Sequence, residues 1–150
     1  MGSPGVSRIG AFLALSAMIA CGELYEGYKR SPTVERLYAE IVPPAGAKVV
    51  TTGHRSTVKS SVVDIGDAYD TANPGNEILG HYSHSLVQHG WKRHGEGVDQ
   101  YGQRHVTFCR NDYVARVDVW PEKYELSAKS ERRYYFYMRW TSTGLQKSCT

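Results

Sequence analysis

Two rhythms of apolar residues run along this chain. From Asn73 to Trp91 the period is helical: Ile78, Leu79, Tyr82 and Leu86 form one stripe at about 100° per residue, with His81, His84 and Gln88 opposite. This spacing predicts an amphipathic helix with marked ends. Asn73 is a candidate N-cap, and Pro74 loses no hydrogen bond at the first helical position. Gly90 can adopt the left-handed conformation that closes a helix, which folds Trp91 back onto the last turn. A shorter helix is expected from Ser31-Pro32, with Val34, Leu37, Tyr38 and Ile41 on one face and Pro43-Pro44 as its stop.

The second rhythm is the alternation of strands. Ala47–Gly53 reads as a first strand, and Ser56–Asp70, with Val58, Val62, Val63, Ile65 and Tyr69, as a second; Gly53-His54-Arg55-Ser56 is the expected turn between them. Trp91–Gly95 leads out of the long helix into a Gly-rich turn. Arg104–Arg110 and Tyr113–Trp120 alternate on either side of Asn111-Asp112, a pair suited to a tight hairpin. After Pro121 and a polar loop, Glu122–Glu131, Arg132–Trp140 is the last strand. The expected fold is α+β: an antiparallel sheet of about five to six strands with one long helix on one face, plus a short N-terminal helix. One helix cannot cover both faces, so the second face of the sheet is expected to be largely wet.

The N-terminus changes the picture. Met1–Arg8 is weakly basic, and Ile9–Ala20 is an uncharged apolar run of twelve residues, too short for a stable span of a bilayer core about 30 Å thick. It fits the apolar region of a secretory signal. The run ends in Met18-Ile19-Ala20-Cys21-Gly22, which resembles a bacterial lipobox. That resemblance implies cleavage before Cys21, which becomes the lipidated mature N-terminus and carries several acyl chains such as palmitate. Several acyl chains hold firmly where one holds marginally. Simple cleavage without lipid, or a buried N-terminal helix, are the alternatives. The division expected is a signal peptide over 1–20, a tether over 21–31 and one α+β domain over 32–150. Of the three Cys, Cys109 and Cys149 then remain to bridge in an oxidising envelope.

Composition and charge exclude more than they assign. The chain has 18 Lys plus Arg against 15 Asp plus Glu, interleaved without a cationic run, so a nucleic-acid groove is not expected. Six His (His54, His81, His84, His89, His94, His105) invite a metal reading, yet there is no Cys pair or His-Glu-X-X-His pattern. His89 falls on the apolar stripe near the helix C-terminus, where it can serve the last carbonyls. Gly53–Ser60 lacks the Gly before Lys59 that a phosphate loop needs, and no Gly-X-Ser-X-Gly elbow occurs. Asp64, Asp67, Asp70 and Glu77 have no visible partners. Neither catalysis nor a cofactor or metal is expected.

What remains is the last strand. Tyr134, Phe136, Met138 and Trp140 alternate towards the core, and Tyr135, Tyr137 and Arg139 away from it. The second set joins Arg116 and Asp118 on the uncovered face, where aromatic rings beside charges suit a glycan, peptide or protein partner. The high strand propensity of Tyr accounts for the same residues without a partner.

Three short patterns, Pro43-Pro44-Ala45-Gly46-Ala47, Tyr69-Asp70-Thr71 and Tyr82-X-X-X-Leu86-X-X-X-Gly90-Trp91, resemble those of small bacterial lipoproteins of unknown function. These are packing and capping residues, so the resemblance implies fold and location and carries no catalytic residue. The expectation is therefore an extracytoplasmic lipoprotein, membrane-anchored through its N-terminal lipid and placed at the outer membrane if the cell is Gram-negative, acting as a binding or structural module of the envelope. A small hydrolase or metal-binding protein using the His-rich surface, and an immunity-type inhibitor of a secreted toxin, are the alternatives.

Overall fold

The computed structural model describes residues 25–121, 132–142 and 149. The signal segment, Cys21 and the loop 122–131 lie outside the described residues. Among the described residues the architecture is α+β, with two helices and seven strands in one antiparallel sheet. Helix α1 covers residues 25–39, followed by β1 (Lys48–Val49), β2 (Arg55–Lys59), β3 (Val62–Thr71), α2 (Gly75–Gln88), β4 (Lys92–Val98), β5 (Arg104–Arg110), β6 (Tyr113–Val119) and β7 (Arg132–Thr141). The sheet order is β1-β3-β7-β6-β5-β4, with β2 also on β3.

Helix α2 begins and ends largely for the reasons its sequence suggests. Ile78, Leu79, Tyr82 and Leu86 are buried. Gly90 has φ +80°, its N–H donates to Val87 O and Trp91 N–H donates to Leu86 O, the paired bonds of a Schellman closure. Trp91 is buried, and His89 Nδ1 lies 2.8 Å from Ser85 O. The start differs: Pro74 is the cap residue and no side chain caps it, because Asn73 Nδ2 instead donates to Ala45 O at 3.1 Å.

Three expectations are corrected. First, α1 does not start at Pro32. Residues 25–31, expected as tether, are helical, so α2 is not the single long helix. Gly27 explains why: its N–H donates to Ser60 O at 3.1 Å, and a Cβ there would lie 1.8 Å from Lys59 O, so only glycine lets the helix rest against the β2–β3 turn. Arg30 adds a hydrogen bond to Tyr113 Oη at 3.3 Å. Pro32 leaves the Tyr28 carbonyl without its helical partner, but both residues are exposed and water can serve that oxygen. Second, the stretch Ser56–Asp70 is a hairpin. Arg55–Lys59 pairs with Gly66–Val62 around Ser60-Ser61, while the first strand shrinks to two residues collinear with β2 along β3. The strand count rises to seven accordingly.

Third, the second face is not largely wet. Both helices lie on the opposite face, over a core of Val34, Leu37, Ile41, Ile78, Tyr82 and Leu86 against Val63, Phe108, Val117, Tyr134, Phe136 and Met138. On the face they leave, Asp64 is 1 % exposed and Asp118 8 %. Arginine side chains laid across the strands enclose these short acids, Arg139 and Arg55 at Asp64 and Arg116 at Asp118.

Candidate functional site

Strand register assembles the second face. Across β3 and β7, Asp64 faces Arg139, Gly66 faces Tyr137, Ala68 faces Tyr135 and Asp70 faces Arg133. On the other side of β7, Arg116 faces Tyr137 and Asp118 faces Tyr135, with His105 next to Asp118 on β5. Successive side chains alternate between faces, so Tyr135, Tyr137, Arg139, Arg116 and Asp118 all stand on one surface in two adjoining strands.

Their contacts form a charged and aromatic layer. Arg139 Nη2 donates to Asp64 Oδ2 at 2.5 Å, and Arg55 Nη2 reaches the same oxygen at 3.2 Å. The Arg139 guanidinium carbon lies 5.2 Å from the Tyr137 ring centre, and the Tyr135 and Tyr137 rings are 5.5 Å apart. Arg116 Nε donates to Asp118 Oδ1 at 2.7 Å. Two guanidiniums thus meet on Asp64, and Gly66 makes room for Tyr137 beside them, since a Cβ there would meet the Tyr137 Cβ at 2.4 Å. Burial pushes the Asp118 carboxyl up, against the hydrogen bond and charge of Arg116. Burial likewise raises Tyr137, and raises Tyr135 to about 12, with the Asp64 charge adding to the effect.

Four buried polar atoms of this face, Asp64 Oδ1, His105 Nδ1, Tyr135 Oη and Arg139 Nε, make no hydrogen bond. Most buried polar atoms of folded proteins have a partner, so such a concentration sets this surface apart. The face continues to a shallow cavity of about 290 Å³ between Tyr101, Gln103, Trp120 and Pro121. Arg133 lies 5.9 Å over the Trp120 ring while holding both Asp70 oxygens, at 2.8 and 3.0 Å. At the other end, Cys109 and Cys149 sit at disulfide distance, with Cα atoms 5.6 Å apart.

The histidines are scattered. His81 Nε2 lies 2.8 Å from Val42 O, His84 and His94 are exposed, and His105 stands on the second face. Among the described residues no three His, Cys, Asp or Glu side chains converge as a metal site would require. His54 has a different setting, which sequence reasoning missed. Its Nδ1 lies 2.8 Å from Asp67 Oδ1, Tyr38 Oη donates to Asp67 Oδ2 at 2.6 Å, and the Tyr38 and Tyr69 hydroxyls are 3.1 Å apart. One signal was available: Asp67 follows Val63 and Ile65 at the inward positions of β3, and an acid on a core face needs a partner. All three acids of β3 have one.

Compared with protein-family models, with curated proteins and with solved structures, the chain matches none of them.

Proposed function

We propose that this chain is a lipid-anchored, extracytoplasmic protein of a bacterial cell envelope that serves as a binding or structural module and not as an enzyme. Acyl chains on Cys21 hold it to a membrane, and the second face of the sheet takes a protein or glycan partner. The observation that carries this reading is the convergence of Tyr135, Tyr137, Arg139, Arg116 and Asp118 with Asp64 on the face that neither helix covers. Rings and paired charges of this kind supply contact area with little side-chain entropy left to lose.

Anchoring is tested by palmitate labelling in the native host: label in the wild-type chain and none in Cys21→Ser is expected. Label in both removes the anchor. The surface is tested by placing a photo-reactive amino acid at Tyr137 or, for comparison, at Val87, which is 56 % exposed on the outer side of α2. An envelope adduct formed from position 137, absent from position 87 and lost in Arg116→Ala/Asp118→Ala, is the expected result. Adducts from 87 alone would eliminate the face.

The hydrolase alternative has one observation in its favour, the His54–Asp67 pair, since a carboxylate that orients an imidazole is the basis of acid–base catalysis. An ester hydrolysis that survives in the purified chain and vanishes in His54→Ala with the fold intact would establish it.

A further inference from the structure

The outer side of α1 carries the wrong residues for a helix facing only water. Its inner side, Val34 and Leu37, is buried on the sheet, as is Ile41 just beyond its last turn. On the opposite stripe Tyr25 and Tyr28 are 60 % and 61 % exposed, and Pro32 continues them at the next turn. Lys29 Nζ lies 4.8 Å from the Tyr25 ring centre, and Arg36 extends the stripe. The nearby acid Glu26 is drawn to Lys29 and Arg30, at 3.6 and 3.7 Å. Gly27 of α1 meets Ser60 at the end of the sheet that also carries the exposed Lys59 and Lys92.

Covalent geometry adds the second constraint. Cys21 precedes Tyr25 by four residues, and four residues of chain span at most about 14 Å. A lipid on Cys21 therefore holds the first turn of α1 within that distance of the bilayer surface. Tyrosine rings settle at headgroup depth, with the hydroxyl wet and the ring in apolar surroundings, and lysines are attracted to anionic leaflets.

We infer that the outward stripe of α1, Tyr25, Tyr28 and Pro32 with Lys29, lies in the headgroup layer of an anionic bilayer, so that the Lys59 and Lys92 end of the sheet faces the membrane. This rests on the proposed acylation of Cys21. It deepens that reading by fixing the orientation of the domain. Val98, at the opposite end of the seven-residue strand β4, then stands about 20 Å farther from the lipid. The partner face runs along the side of the molecule and ends in the Trp120 cavity away from the bilayer.

The test uses the acylated full-length chain reconstituted in vesicles of phosphatidylglycerol and phosphatidylcholine that carry a headgroup nitroxide quencher. A fluorophore is attached at Pro32→Cys or at Val98→Cys. Strong quenching at position 32 with little at 98 is expected. Adding Tyr25→Ser/Tyr28→Ser should remove most of the quenching at 32 while the circular dichroism spectrum stays that of the parent. Equal quenching at both positions, or quenching at 32 that survives the double serine change, overturns the orientation. A chain that carries no acyl mass on Cys21 and does not float with the vesicles fails one step earlier, and sinks the anchor itself.

Discussion

Asp64 on β3 and Arg139 on β7 face each other in register, and the guanidinium donates to the carboxylate at 2.5 Å. Six residues along the same strand pair, Asp70 and Arg133 repeat the arrangement. A slip of one residue would turn both acids into the core, and a slip of two would break both pairs. Two ion pairs at this spacing therefore fix one register for the longest pairing in the sheet.

Removing Arg139 should be costly because Asp64 is almost fully enclosed. Arg139→Ala leaves the carboxylate with Arg55 alone, at 3.2 Å, and is expected to lower stability by about 3 kcal/mol. The double change Asp64→Leu/Arg139→Met removes both charges and should recover most of that loss. Denaturant midpoints for Asp64→Leu, Arg139→Met and the double variant give the coupling. Additive losses would mean that the pair contributes nothing as a pair.

Two glycines in helices should respond in opposite directions. Gly80 sits in α2 with nothing within 4 Å of an added Cβ, so Gly80→Ala should stabilise by about 1 kcal/mol. Gly27→Ala puts a methyl group into Lys59 O and should lift the start of α1 from the β2–β3 turn. Thermal melting reads both, and a neutral Gly27→Ala would contradict the close approach.

Alkaline pH should unfold the protein in a step that releases tyrosinate. Burial is the main reason that Tyr38, Tyr69, Tyr82, Tyr134, Tyr135 and Tyr137 are held above the ordinary value of 10, Tyr135 at about 12. Below pH 10 folded and unfolded chains are both protonated at these sites, and stability does not depend on them. As pH rises from 10 towards 12 the unfolded chain loses protons that the folded chain keeps, so stability falls. Tyrosinate absorbance from these six should therefore appear together with loss of the fold. Their titration at pH 10 in an intact fold would refute the burial.

The cysteine pair should be visible by mass. Alkylation of the denatured chain is expected to modify neither Cys109 nor Cys149 until reductant is added. A link across 40 residues contributes about 4 kcal/mol in the chain-entropy model, so Cys109→Ser/Cys149→Ser should melt well below the parent.

Where local pattern and tertiary packing agree, the chain could be read directly. The α2 stripe, the Gly90 closure and the alternation of β5, β6 and β7 all follow from period and turn chemistry. The five face residues were legible for the same reason, because alternation alone assigns them to one side. Where packing overrides propensity, reading failed. Gly27 and an interior Pro32 both argue against a helix running from residue 25 into 32, yet the contact of Gly27 with Ser60 and the reach of Arg30 to Tyr113 hold α1 there. The partners of Asp64, Asp67 and Asp70 come from positions 9 to 75 residues distant in the chain, and no local pattern encodes such distances.

The place of β7 in the sheet bears on how the molecule comes into being. This strand is the last of the seven in sequence, yet it lies between β3 and β6. Until Arg132–Thr141 is inserted, β1–β3 and β4–β6 are two separate ribbons, each with a bare inner edge. Synthesis must therefore reach β7 before the two ribbons are joined, and a chain cut short before residue 132 would expose both edges to aggregation. Under the proposed export, a sheet that locks only when β7 is inserted leaves the two ribbons unjoined, and the chain threadable, until Arg132–Thr141 is in place.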